Sequence, residues 1–430
     1  MRPAHIMVMD VDCDVPSLPG EDHYKDAWTV LCFRGTPRAV VVLDLSASVE
    51  ANQARLREEY SKVREAHRDE PLVTLTAADL PRISVVVPTI AHDVNEVSRC
   101  IDGLGGLDYP DFEVVLVDNR QSIPTPDTLS SLAVSRPWLR VVREPRPGIS
   151  AARNRGVIES RADLIAFTDD DVSVDREWLR AAATRFAIEP QLDVVTGLVL
   201  PQELENETQI WYERYFGGFG GVRSFRPVTL EINPSKTWLS CPGRLNEFDS
   251  HHRVLKKSSL YGVGRYVVGA NMVFRRSALE RIHGFDVALG TGTPSRGGED
   301  LAATISVLWS GGKIGYEPSA FVFHRHRREY PQLLNQLDGS GIGFTAMLTS
   351  LVRRDPRHAI ALVVQMPLAS ARLFVQSVRR LRGESVGELG AQHSSNTHLY
   401  PSRLFRREFA GYFRGPLAYT RSVSQGQKHQ

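Results

Sequence analysis

Cysteine is scarce: Cys13, Cys32, Cys100 and Cys241 are the only four in 430 residues, and none sits in a C-x-x-C pair. A disulfide framework or a zinc ribbon is therefore not expected, and a reducing, cytoplasmic compartment is the simple reading. Charge of one sign is not in excess either. Lys and Arg number 52 against 50 Asp and Glu, a net +2, which speaks against a basic nucleic-acid coat, and no nucleic-acid partner is expected. Long apolar runs are missing: in the carboxyl-terminal region the longest uncharged stretches, Gly339–Val352 and His358–Ala371, are 14 residues each, and the second contains Pro367. A transmembrane helix needs roughly 20. The amino terminus, MRPAHIMVMDVDCD, is apolar only briefly and then acidic, so it is not expected to be a signal peptide.

What is present is an ordinary folded composition, 42% hydrophobic and 24% charged, long enough for two or three domains. The charge is unevenly placed. Phe321–Gln430 carries 16 Lys/Arg and 6 Asp/Glu, a net +10, on a body of net −8. A basic tail on an acidic body suggests an anionic partner, such as a membrane surface on which the tail could lie. Two core helices with a solvated basic face are the alternative.

Residues 1–80 read as a small α+β unit. Trp28–Phe33 and Ala39–Leu45 are β-branched and apolar around a turn at Arg34–Pro37, and Val49–Arg68 is a charged helix. The main body, 81–330, opens with the buried-strand run Ile83–Val87. Helical spacing follows at Val94, Val97, Ile101 and Leu104, with Asp93 as N-cap. Strands are then expected at Phe112–Val117, Leu139–Val142, Leu164–Thr168 and Val194–Leu200. Helices are expected at Pro126–Ala133, Ile149–Glu159 and Arg176–Ile188. This alternation predicts an α/β fold, a mostly parallel sheet flanked by helices, with ligands beyond the carboxyl ends of the strands. Residues 201–265 break the rhythm and read as a long irregular insertion, holding Trp211, Tyr212, Tyr215 and the glycine-rich Gly217–Gly221. Of the three aromatics, at least two are expected in the core. Residues 331–430 read as a helical basic tail, Ser-, Gly-, Arg- and His-rich from Glu384, with a disordered end.

Four local patterns bear chemistry. Asp169-Asp170-Asp171 follows the strand ending Phe167-Thr168. Three adjacent carboxylates repel one another unless a hard divalent cation, Mg²⁺ or Mn²⁺, lies among them, or unless they cap the next helix. Gly297-Gly298-Glu299-Asp300 sets a carboxylate pair at a helix start, where one could take a proton from a hydroxyl. Pro147–Gly156 holds small residues that let a helix approach the sheet, with Arg153 and Arg155 able to reach phosphate. His324 and His326 end an apolar strand; either could ligate a metal, and the sequence leaves the choice open.

The order Val85-Val86-Val87-Pro88-Thr89, Val117-Asp118-Asn119, Gly148…Ala152-Arg153-Asn154, Asp169-Asp170-Asp171, Gly298-Glu299-Asp300 resembles family 2 glycosyltransferases of the GT-A fold, over about Pro81 to Arg328. The resemblance implies a Rossmann-like, nucleotide-binding half at 81–200 and an acceptor half at 201–330. It implies a nucleotide-sugar donor (UDP-, GDP- or dTDP-linked) whose base is held near Pro88, Thr89 and Asp118. Arg153 would lie near the diphosphate, Asp169 and Asp171 would face the ribose and metal, Asn271 would border the donor sugar, and Asn154 and Asp170 would be donor-binding as well. Asp169, Asp171 and His324 would hold Mn²⁺ or Mg²⁺. Asp300 would be the general base and Glu299 would orient substrate, in an inverting single displacement onto a glycan, lipid-linked or small-molecule acceptor. No Q-x-x-R-W motif occurs, so the likeness to processive synthases is weak and single-sugar addition is expected.

Two other readings compete. A sugar-nucleotide pyrophosphorylase would show a glycine-rich basic loop after the first strand, where this chain has Thr89-Ile90-Ala91-His92-Asp93. Neither a G-x-G-x-x-G nor a G-x-x-x-x-G-K-[ST] stands there, against a dehydrogenase or an NTPase. A non-catalytic carbohydrate-binding protein on the same fold would not need every candidate carboxylate.

Overall fold

In the computed structural model, residues 3–13, 24–70, 73, 75–123, 127–220, 223–232, 243–365, 375 and 402–426 are described. Cys241, Gly221, Pro126, the tail from Glu384 to 401 and residues 427–430 lie outside them, and with them part of the expected disordered end.

The amino-terminal unit is a three-stranded sheet, β1 (Ala4–Asp10), β2 (Asp26–Phe33) and β3 (Thr36–Asp44), with helix α1 (Val49–His67) on one face. The Ser48 hydroxyl accepts from the Ala51 amide and caps α1. Strand alternation gives the sheet two apolar faces. Leu31 and Phe33 meet Leu56 and Tyr60 of α1, while Trp28, Val30 and Cys32 join the core of the main body. The Ala4 amide also donates to the Leu204 carbonyl at 2.8 Å. The unit is thus packed onto the rest of the chain.

The main body continues through β4 (Ile83–Thr89), α2 (Val94–Gly105), β5 (Phe112–Asp118), α3 (Thr128–Leu132), β6 (Leu139–Arg143), α4 (Ile149–Glu159), β7 (Leu164–Phe167), β8 (Val172–Val174), α5 (Trp178–Ile188) and β9 (Val194–Pro201). Then come α6 (Glu207–Phe216), β10 (Val228–Ile232), β11 (Arg244–Phe248), β12 (Val254–Ser259), β13 (Met272–Arg275), α7 (Arg276–Arg281), α8 (Glu299–Trp309), β14 (Ile314–His324) and α9 (Tyr330–Arg354). One eleven-stranded sheet runs β12-β11-β10-β14-β9-β13-β7-β4-β5-β6, with β8 paired to β14. Pairing is parallel through β7-β4-β5-β6 and at β14-β9, and antiparallel elsewhere. The α/β fold class stands. The parallel run β7-β4-β5-β6 lies within 81–200, where helices α2, α3 and α4 return the chain to the same sheet end.

Residues 201–265 are more regular than expected. They contribute α6 and the antiparallel strands β10 to β12, which widen the sheet. Tyr212 and Tyr215 are buried in a cluster with Leu333, Leu337 and Leu404, and Trp211 packs edge-on to Tyr330, so this aromatic group is core, as expected.

On β4, Val86 faces one core layer and Ile83, Val85 and Val87 the other. Helix α4 lies close over β4 because Gly156 has no Cβ; one there would overlap Val86. In the described part of the tail, α9 pairs with a second long helix, Ser402–Gly426. No helix among the described residues is long and apolar enough to cross a membrane.

Candidate active site

The site assembles at the carboxyl ends of β4, β5, β7 and β14. After Phe167 the chain turns through Asp169-Asp170-Asp171 into β8, which pairs antiparallel with the end of β14 and sets Val172 opposite His324. That short pairing brings a residue 153 positions downstream of Asp171 beside it. One ligand atom each from Asp169, Asp171 and His324 lie within 4.8 Å of one another, and the three could hold a cation. His324 Nε2 is 3.6 Å from Asp171 and 3.8 Å from Asp169. Its Nδ1 donates to the Arg325 carbonyl at 3.2 Å, which orients the ring with Nε2 toward the acids. Phe219 stacks on the imidazole, centroids 4.1 Å apart at 21°. The donor set, two carboxylates and one imidazole, suits a hard or borderline divalent ion.

His326 points elsewhere. Its Nε2 is 2.8 Å from Glu213, which also pairs with Arg223, all buried. The two arginine and histidine partners outweigh burial and hold the Glu213 carboxyl at about 2. The open choice between the two histidines thus falls to His324 on geometry.

The three aspartates diverge. Asp170 turns back to the Thr89 hydroxyl. Burial, with Asp171 and Asp169 nearby, pushes its carboxyl up to about 6, against the Thr89 hydrogen bond. Asp169 reaches Arg153 at 3.2 Å, and Asp171 lies 3.7 Å from Arg327. Arg153, 1% exposed, spans the site: it donates to Glu299 at 2.7 Å, to Asp169 and to the Gly269 carbonyl at 3.2 Å. Asp300 accepts from the Gly269 amide at 2.9 Å and from the Leu301 amide at 2.8 Å. Burial raises the carboxyl pKa of both Glu299 and Asp300; Arg153 opposes the rise in each.

Gly298, at φ +85°, starts α8 in the left-handed region, and α9 presses against it: a side chain on Gly298 would overlap the Gly343 carbonyl. A cavity of about 1000 Å³ opens over these groups, lined by Arg153, Asp169, Gly269, Glu299, Asp300 and His324. Its far wall includes Phe344 of α9 and Tyr412 of the carboxyl-terminal helix. Sequence patterns gave no hint of that wall, nor of Phe219 as the neighbour of His324.

The remaining expected residues are placed as follows. Thr89 and Asp118 are register partners on β4 and β5, outside the lining of this cavity. Asp118 takes both 2.8 Å bonds of a fork from Arg120, which also reaches Asp127. Pro88 is buried within β4. Asn154 exchanges bonds with the Phe285 amide and carbonyl. Asn271 donates to the Leu198 and Ala320 carbonyls and accepts from Trp178. Both asparagines brace the walls.

Residues 84–283 match the family model "Glycosyl transferase family 2". Among curated proteins, the chain is 25% identical over 248 residues to a pre-mycofactocin glycosyltransferase of Mycobacterium tuberculosis, covering 57% of this chain and 43% of that one. It is 23% identical over 244 residues to an N-acetylglucosaminyltransferase of Azorhizobium caulinodans, covering 56% and 54%. The chain thus spans less than half of the first relative's length and about half of the second's. A solved mannosyltransferase from Pyrobaculum calidifontis, in complex with GDP-Man and Mn²⁺, aligns with TM-score 0.44 at 16% identity over 84% of this chain and 93% of that one. By the family-model match, residues 84–283, a little under half of the chain, are a glycosyltransferase family 2 domain.

Proposed function

We propose that the chain moves one sugar from a nucleotide-sugar donor to an acceptor hydroxyl, with inversion, in a divalent-cation-dependent single displacement. The observation that carries the reading is that Asp169 and His324 line the same cavity as Glu299 and Asp300, with Asp171 grouped beside the first two. A bound Mn²⁺ or Mg²⁺ would offset negative charge on the departing nucleoside diphosphate. Asp300 accepts the acceptor's hydroxyl proton. Its two backbone N–H bonds fix the carboxylate, and burial raises its basicity toward that of a working base. Glu299, pinned by Arg153, orients the acceptor, and Arg153 positions Glu299 and Asp169. Thr89, Asp118, Asp170 and the strand ends around them receive the nucleoside. The other walls, with Asn154 and Asn271 behind them, shape the donor pocket.

The test is Asp300→Asn with a panel of UDP-, GDP- and dTDP-sugars, UDP-N-acetylglucosamine among them because one relative is named for that sugar. Transfer is expected to fall by about 10²–10⁴-fold, while calorimetry with Mn²⁺ still registers donor binding. Retained turnover removes Asp300 from the base role. Product NMR showing retained anomeric configuration refutes the single displacement.

A further inference from the structure

The carboxyl-terminal helix Ser402–Gly426 is held rigidly on one side. Gly411 and Gly415 lie against the backbone of α9 at Gly341 and Ile342, and Arg414 pairs with Asp338. Tyr419 donates to Asp286 at 3.0 Å, and Ser422 meets Ser295 at 3.1 Å. Leu404, Ala418, Tyr419 and Ser422 are buried there.

The opposite side is unlike an ordinary solvent face. Phe409, Phe413 and Leu417 are 51%, 74% and 55% exposed. At steps of four they share one stripe of the helix, and the two phenylalanine rings meet edge to face at 5.3 Å. Arg403, Arg407, Arg414 and Arg421, at steps of four, seven and seven, form a row along one flank, and Arg406 lies within the stripe itself. Against these five arginines the helix has one acid, Glu408. Arg403, Arg406, Arg407 and Arg421 make no ion pair among the described residues.

We infer that this face docks on an anionic lipid bilayer. Apolar side chains with cations beside them match the boundary between acyl chains and anionic headgroups, where arginine stems can lie along the apolar layer with their heads in the phosphate. A second copy of the same face would bring four arginines without ion pairs against four. A nucleic acid would satisfy the arginines and leave the three apolar side chains in water. The helix lies on the surface, since none of the described helices is fit to span. Tyr412, one residue from Phe413, lines the catalytic cavity, so docking holds the cavity beside the bilayer. The inference is independent of the transfer reaction.

The experiment is vesicle flotation of the full chain, without donor or metal. Binding is expected to phosphatidylcholine vesicles containing about 30% phosphatidylserine and not to phosphatidylcholine alone. Raising salt from about 0.1 to about 0.5 M is expected to lower the bound fraction several-fold. Phe409→Ser/Phe413→Ser is expected to reduce binding about tenfold with an unchanged melting temperature. Arg403→Gln/Arg407→Gln/Arg421→Gln is expected to lose the preference for anionic vesicles. Four results overturn the inference: no vesicle binding, full binding by either variant, a lowered melting temperature of the Phe variant (the face is then covered within the molecule), or binding to duplex DNA alone.

Discussion

Arg153 is the test of how the site is held together. It is a buried cation that joins Glu299 on α8 to Asp169 after β7 and also caps the Gly269 carbonyl. Phe285 lies 5.7 Å from its guanidinium carbon. Arg153→Met roughly keeps the volume and removes the charge, so buried Glu299 loses its cationic partner and Asp169 loses one of its neighbours. Breaking a buried pair from one side costs about 3–5 kcal/mol, because the remaining charge is uncompensated. Glu299 then escapes by taking a proton. Its folded carboxyl already titrates above the unfolded value through burial, and losing Arg153 lifts it further. A carboxyl with a raised folded pKa binds more protons folded than unfolded, so the variant loses stability as pH rises through that window. Urea denaturation should therefore show a smaller deficit at about pH 5 than at about pH 8. Adding Glu299→Gln should recover about 2 kcal/mol, a coupling within the range of contacting residues. A single-variant cost below about 1 kcal/mol, or a double variant as unstable as the two singles summed, would refute the reasoning.

Three further outcomes are expected. His324→Ala should weaken Mn²⁺ binding by about 10–100-fold in metal titration calorimetry, while His326→Gln leaves the affinity within a few-fold and instead lowers the melting temperature. Gly415→Val would drive a side chain into Thr345 and the Ile342 carbonyl, and should cost about 1–3 kcal/mol or more in denaturant titration; wild-type stability would show that the helices can part. Burial pushes the His358 imidazole down to about 4, with Asp355 opposing and Arg357 assisting, where it stacks on Trp309 and meets the Tyr261 hydroxyl. The unfolded chain therefore takes up a proton first as pH falls from about 6.5 to about 4, and stability should drop across that interval. His358→Gln should flatten this part of the pH–melting curve; an unchanged slope would contradict the burial argument.

Much of 81–200 was legible because β4, β5, β7 and β9 are buried on both faces and α2 is strongly amphipathic. Ile83–Val87 and Leu164–Phe167 stand out as apolar runs, and Asp93 does cap α2 through the Asn95 amide. The strands that escaped include some that are short or diluted by solvent, and also β10 and β11, whose burial comes only from the sheet they widen. β12 reads VLKKSS and is mostly exposed, β8 has three residues, and β1 sits where the sequence turns acidic. In the site, the acids were visible as local runs, and their order gave the family. Their partnerships were not, because they are made across the fold. Arg153 meets Glu299 over 146 positions. His324 was separable from His326 only once Glu213 was seen to claim the latter, and Phe344 and Tyr412 reach the cavity through helix packing with no chemical signature of their own.

Helix α9 has bare backbone contact on two sides at once: Gly343 rests on Gly297 and Gly298 at the entry to the acid pair, and Gly341 rests on Gly411 of the last helix. With no side chains to act as cushions, there is no compressible layer between the outermost helix and the turn carrying Glu299 and Asp300. A displacement of a fraction of an ångström at the periphery must either open a gap along α9 or shift the carboxylates by a similar amount. The outermost helix and the turn that carries Glu299 and Asp300 are thus joined, through α9, by direct backbone packing.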